Sequence, residues 1–327
     1  MKKLLRGTLT LLLLANSEIG RSEAAAISWA HTNYHGWADA WVCGNGIVEA
    51  VVVPAIGRIM QFRFAENQTG PFWENQNLNG KLPDPKSSDW GNFGGDKSWP
   101  SPQADWPKLT PRGWPPPVAF DSMPVAAKLD EGALILTSAI DPDYGVRTVR
   151  RVSLRSNESV MQIKTTYEKV SGSTIKCGIW IITQLKDPAE VFIPIPLTSP
   201  FKEGYIKQSD LLPARLNMKD HLLGLRRDTK NRTKIGTTAD MLIWVGEKEG
   251  VKIESRRAAD SEYPDEGSSA EVYTNPDENA YVELELLGPL RSLETGTKIE
   301  QTSTYTLYHR PPGKSTVDFG RDIATGR

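Results

Sequence analysis

Histidine occurs four times and cysteine twice in 327 residues, and the net charge is only -1. The histidines, His31, His35, His221 and His309, are scattered without the spacing that a catalytic zinc site needs, so no metal or other cofactor is expected. Two cysteines cannot make a disulfide scaffold, and whether Cys43 and Cys177 pair is left open, because bridging depends on a distance that the sequence does not give. A nearly neutral surface lacks the basic footprint of a nucleic-acid partner. There is no Gly-x-Ser-x-Gly elbow and no dinucleotide or phosphate loop. No apolar run approaches the roughly 20 residues of a membrane-spanning helix.

What is present begins with an export signal. Lys2, Lys3 and Arg6 precede the apolar run from Leu9 to Ala15, and Ala24-Ala25-Ala26 supplies small residues for cleavage. Residues 1–26 therefore read as a cleavable signal peptide, the mature chain as periplasmic or secreted, and no transmembrane segment as remaining after its removal.

From residue 46 onward, short period-2 runs alternate with turn residues and a helical period is hardly found, so the chain reads as all-β. Candidate strands are 47–53, 58–64, 133–140, 145–154, 159–170, 175–183, 191–195, 241–245, 251–255, 280–287 and 302–309. In the second, Met60, Phe62 and Phe64 are expected on one face and Ile59, Gln61 and Arg63 on the other. About a dozen strands suit a large antiparallel β-sandwich of two packed sheets. Residues 27–310 read as a single domain and 311–327 as a polar C-terminal tail that frays.

One region departs from this regularity. Between Trp73 and Pro124 lie ten of the 23 prolines, and five tryptophans (Trp73, Trp90, Trp99, Trp106, Trp114) are interleaved with Asn75, Asn77, Asn92, Asp96, Lys97 and Gln103. This reads as a long ordered loop. Aromatic faces beside amides and charges suit a sugar, whose apolar C–H face packs on a ring while its hydroxyls need donors and acceptors. Further along, strict alternation puts Tyr281, Glu283 and Glu285 on one face of a strand and Val282, Leu284 and Leu286 on the other. The basic run from Arg226 to Arg232 reads as a solvated turn.

Asn45-Gly46, Gly57-Arg58-Ile59-Met60, the run Gly94-Gly95-Asp96-Lys97-Ser98-Trp99-Pro100-Ser101-Pro102-Gln103, then Trp180, Thr183-Gln184, Lys234-Ile235-Gly236 and Tyr281 to Leu293 together resemble an exported bacterial branch of the galactose mutarotase-like superfamily. The resemblance implies a supersandwich whose broad curved sheet offers a concave face to a mono- or oligosaccharide. It implies polar contacts from Arg58, Asn75, Asp96, Lys97, Gln103, Gln184 and Lys234, and apolar surface from Trp73, Trp99 and Trp180. Aldose 1-epimerases of this superfamily use a histidine acid and a glutamate base. Here Asp96 and Lys97 stand where such a histidine is carried, and Gln184 has no proton to give. Carbohydrate binding is therefore expected ahead of catalysis. If chemistry of the epimerase, lyase or glycosidase type is retained, Glu283, Glu285 and Lys97 are its candidate catalytic residues. A non-enzymatic envelope protein that binds another protein through its tryptophan-rich rim is the third reading.

Overall fold

The computed structural model describes residues 27–111, 113–121 and 123–326; the expected signal peptide lies outside the described residues. The chain lays down two large antiparallel sheets in turn. The first takes β1 (Ser28–Tyr34), β2 (Trp37–Gly44), β3 (Val48–Val53), β4 (Arg58–Phe64) and β5 (Asp96–Ser101). The second receives β6 (Ala126–Asp130), β7 (Ala133–Ile140), β8 (Val146–Leu154) and β9 (Val160–Lys169). β10 (Ile175–Lys186) returns to the first sheet, β11 (Glu190–Pro194) joins the second and β12 (Ile206–Lys207) the first. β13 (Asn217–Lys219) and β14 (Leu222–Leu225) extend the second, and β15 (Thr233–Thr237) the first. β16 (Met241–Val245) and β17 (Glu249–Glu254) lie in the second; β18 (Ala270–Thr274), β19 (Tyr281–Leu287) and the short β20 (Arg291–Leu293) in the first; β21 (Lys298–His309) closes the second. The first sheet runs β1-β2-β3-β4-β5-β10-β19-β18-β15-β12, and the second β13-β14-β11-β16-β17-β21-β9-β8-β7-β6.

Between the sheets, alternate residues from both interdigitate in one core that includes Val52, Phe62 and Leu284 from the first and Leu136, Ile163 and Val251 from the second. Met161, Ile163 and Tyr167 share this core, as the period-2 pattern predicts. The pattern fails in β4. There the register jumps from the Val51–Gln61 pair to Val52–Ile59, leaving Met60 unpaired in a bulge. Ile59 and Phe62 consequently both enter the central core, while Met60 packs with Trp37, Ile56 and Phe93 in a separate cluster.

Two further expectations are corrected. The Trp73–Pro124 region is not all loop, because β5 lies in the middle of the first sheet between β4 and β10. Its sequence, Asp-Lys-Ser-Trp-Pro-Ser, offers no apolar alternation to read. Its entry depends on Gly95 at φ 71, where a Cβ would lie 2.5 Å from the Ile59 carbonyl oxygen. Nor is the C-terminal segment a frayed tail, since Thr316–Thr325 forms a helix, here α1. Ser315 caps it by accepting from the Asp318 N–H at 3.1 Å. Phe319 and Ile323, one turn apart, bury against Phe192, Ile243 and Val245 of the second sheet. Cys43 and Cys177 are both free and buried. Burial pushes each thiol up to about 12, which keeps them unreactive.

Candidate functional site

Strand alternation and register build the outer face of the first sheet into three rows. Trp99 pairs with Trp180, and Trp180 with Leu287. The next row runs Lys97, Ile182, Glu285, Glu271, Gly236. The third runs Gln184, Glu283, Tyr273, Lys234. Cations and carboxylates from four strands are thus neighbours because the register makes them so.

Each ammonium in these rows is held between carboxylates and an indole face. Lys234 Nζ is 2.6 Å from Glu271 Oε2 and 2.9 Å from Glu285 Oε2, and lies 4.7 Å from the Trp180 ring centroid. The same Glu285 oxygen accepts from Trp180 Nε1 at 2.8 Å. Lys97 Nζ is 3.5 Å from Glu283 Oε1, and lies 4.9 Å from the Trp99 ring centroid and 5.5 Å from that of Trp90. Burial lowers the pKa of Lys97 against the opposing pull of Glu283. Burial likewise raises Glu283, with Lys97 opposing and Glu285 adding to the rise. Glu271 is pushed up to about 8 by burial, which Lys234 only partly offsets. For Lys234 itself burial acts downward, but Glu271 and Glu285 outweigh it and leave the pKa raised.

Tryptophans wall one side of this charged floor. Trp99 meets Trp180 edge-on at 5.4 Å and Trp90 at 5.7 Å, and Trp114 completes the wall 5.4 Å from Trp90. Trp106 is fully buried behind them and donates from Nε1 to the Pro100 carbonyl at 2.8 Å. Asp121, at the end of a short helix after the proline run, pins the wall in place. Its Oδ1 accepts from Trp99 Nε1 at 2.9 Å and from Arg58 at 2.7 Å, and its Oδ2 from Trp90 Nε1 at 3.1 Å. Opposite stand Gln208, Ser209, Arg232, Tyr273 and Asn275, and the space between is a cleft of 560 Å³.

Of the residues singled out from sequence, Trp99, Gln103, Trp180, Lys234, Glu283 and Glu285 line this cleft. Lys97 is buried in its floor, 1% exposed. Gln184 shares the row of Glu283 but is wholly buried, so it supports the floor. Trp73 lies outside the wall and packs on Tyr281 at 4.7 Å. Asn75 accepts from the Asn77 N–H at 3.1 Å and donates to the Asn92 carbonyl at 3.0 Å beside a second, neighbouring cleft. Arg58 and Asp96 do not face the cleft. Arg58 is 1% exposed and serves Asp121 rather than a ligand. Asp96 points the opposite way from its neighbour Lys97, because successive residues of a strand face opposite sides. It enters the core, where Arg150, Thr183 (2.7 Å) and Tyr305 (2.5 Å) bond its carboxylate.

Sequence reasoning named Trp90 and Trp114 in the tryptophan loop and Tyr281 on the face of Glu283 without giving them a ligand contact, and did not assign Gln208, Ser209, Arg232, Glu271, Tyr273 or Asn275 to the site. For Glu271 and Tyr273 the signal was there, since β18 alternates Glu and Tyr against Ala, Val and Thr just as β19 alternates Tyr and Glu against Val and Leu. None of the four histidines lines the cleft.

No protein-family model matches the chain, and no curated protein matches it by sequence. Solved structures share its fold. A galactose mutarotase-like protein from Lactobacillus casei superposes with a TM-score of 0.54 at 9% identity, covering 82% of this chain and 99% of that one. A proposed aldose 1-epimerase from Escherichia coli K12 gives 0.53 at 11% identity, covering 81% and 97%. A TPR-domain containing protein from Parabacteroides distasonis gives 0.54 at 14% identity, covering 83% of this chain, which spans 47% of that longer chain. The two-sheet sandwich is thus the galactose mutarotase-like fold, and identities this low speak to fold alone.

Proposed function

We propose that the protein binds a saccharide in the cleft on the outer face of the first sheet, and that residues 1–26 export it to act in the periplasm or outside the cell. The observation that carries the binding reading is the division of the cleft. Four indoles form one wall, while Gln208, Ser209, Asn275 and Arg232 face them across a floor of carboxylates and ammoniums. A pyranose presents that same division, one apolar C–H face and a rim of hydroxyls. Sugar binding by proteins of this fold supports the reading only by analogy. Export is checked by the intact mass of the protein recovered outside the cytoplasm, expected to start after Ala24 or Ala26.

The test of binding is a thermal-shift and titration screen against mono- and oligosaccharides, because a ligand that binds only the folded state raises its apparent stability. Trp114→Ala is the informative variant. Trp114 is 46% exposed, so its removal leaves little cavity, whereas Trp99 is 4% exposed and its truncation mixes binding with a core defect of about 3–5 kcal/mol. Trp114→Ala is expected to weaken sugar binding by up to about tenfold, from ring stacking worth up to ~1.5 kcal/mol. A broad panel without a hit, or unchanged affinity in the variant, overturns the stacking role.

A second reading is favoured by the Lys97–Glu283 pair. Burial moves the two proton affinities toward each other, and a general acid and base acting near neutral pH need such tuning. In that case Glu283→Gln abolishes anomer exchange, by at least about 100-fold, while binding changes only a few-fold. Polarimetry on any sugar that binds decides it: wild-type protein that leaves the anomer ratio to the uncatalysed rate is a binder only.

A further inference from the structure

The tryptophan cleft has a neighbour. A second cleft of 400 Å³ opens on the far side of Trp90, which lines both. Elsewhere along the border the two are joined by single contacts. The Asn92 side chain of the second cleft lies beside the Tyr281 hydroxyl of the first. Asn275 of the first donates from Nδ2 to the Asn279 carbonyl of the second at 2.8 Å. Asp121, which lines the second, is the anchor for the indoles of Trp90 and Trp99 in the first.

The second cleft repeats the chemical division of the first with different residues. Leu82, 67% exposed, lies there with Pro83, Pro115 and Pro116 as apolar surface, and Asn92 and Asn279 as polar groups. Asn92 Oδ1 is buried and without a hydrogen-bond partner. Each volume falls within the roughly 300–1,000 Å³ of small-molecule sites, so each has room for a ring of its own.

Resting on the saccharide reading above, we infer that the ligand is an oligosaccharide that crosses Trp90, with one part against the tryptophan wall and the next against Leu82 and Asn92. Trp90 is half-buried, so its exposed edge is the saddle over which the chain passes. The exposed Asn279 and half-buried Asn92 offer polar partners to the hydroxyls of the second part.

The test is calorimetric titration of the full protein with mono- to hexasaccharide series built on glucose, galactose, mannose and uronic acids, in wild type and in Leu82→Asp. Leu82 is exposed and outside the tryptophan cleft, so the variant is expected to fold and to bind monosaccharides as wild type does. In the series that binds, affinity is expected to rise by about tenfold or more between one and four units in wild type, and to lose most of that rise in Leu82→Asp. Equal affinity for one and four units overturns the inference and leaves single-site sugar binding standing. A length dependence unaffected by Leu82→Asp removes the second cleft from it. No binding in any series overturns the saccharide reading and this inference together.

Discussion

Asp96→Ala is expected to destabilise the protein by about 3–5 kcal/mol, because it leaves the Arg150 guanidinium buried and without its carboxylate. Asp96 is 0% exposed and collects Arg150 from the second sheet, Thr183 from the adjacent strand and Tyr305 from the second sheet. One side chain thus ties both layers of the sandwich, and the loss should appear as a large drop in the urea midpoint. Sugar affinity, measured well below the new unfolding temperature, should stay within about twofold of wild type, since a carboxylate facing the core touches no ligand. A variant with the wild-type midpoint and no sugar binding would put Asp96 in the cleft after all. Asp96→Asn should fall between, keeping the volume and part of the hydrogen bonding while losing the charge.

The split between Asp96 and Lys97 shows why sequence took the site only part of the way. Where apolar alternation is clean, as in Tyr281–Leu287, facing directions follow from the pattern, and Glu283 and Glu285 were placed on one face correctly. In β5 every residue is buried, and polar residues occupy both faces. With both faces covered, polarity no longer tells inside from outside, and Asp96, Lys97 and Gln184 all look like ligand contacts. The β4 bulge at Met60 is invisible for a related reason, since both of its faces are buried against separate clusters. In α1 the apolar stripe is only Phe319 and Ile323 with flanking small residues, too thin to register as a period. Glycine at 320 completes that packing, because a Cβ there would collide with the Phe192 ring. The remaining rim, Gln208, Ser209 and Arg232, is brought in by connections whose course no local pattern encodes.

Lys234→Met is expected to produce the strongest pH dependence of any single change in the site. In the native protein burial pushes the Glu271 carboxyl up from an ordinary 4.5 to about 8, and repulsion from Glu285 adds to the rise. Between those two pH values the folded state holds a proton that the unfolded chain has released. The stability contributed by this group is therefore full below about 4.5 and declines as pH rises through about 8. Lys234 limits the decline by sitting 2.6 Å from one carboxylate and 2.9 Å from the other. Methionine keeps most of the apolar stem against Trp180 but removes the charge, so Glu271 must lose its proton beside Glu285 without a cation. Urea midpoints should show the smaller deficit near pH 5, where Glu271 is protonated in the folded state and only the Lys234–Glu285 contact is lost. By pH 9 the variant should be less stable by about 3 kcal/mol, the low end for a broken buried pair because part of the lysine side chain reaches solvent. A deficit of the same size at pH 5, 7 and 9 would mean that lost packing, not uncompensated carboxylate charge, explains the change. A deficit that grows with pH would identify Lys234 as the counter-ion that lets two carboxylates stay on one face of the sheet.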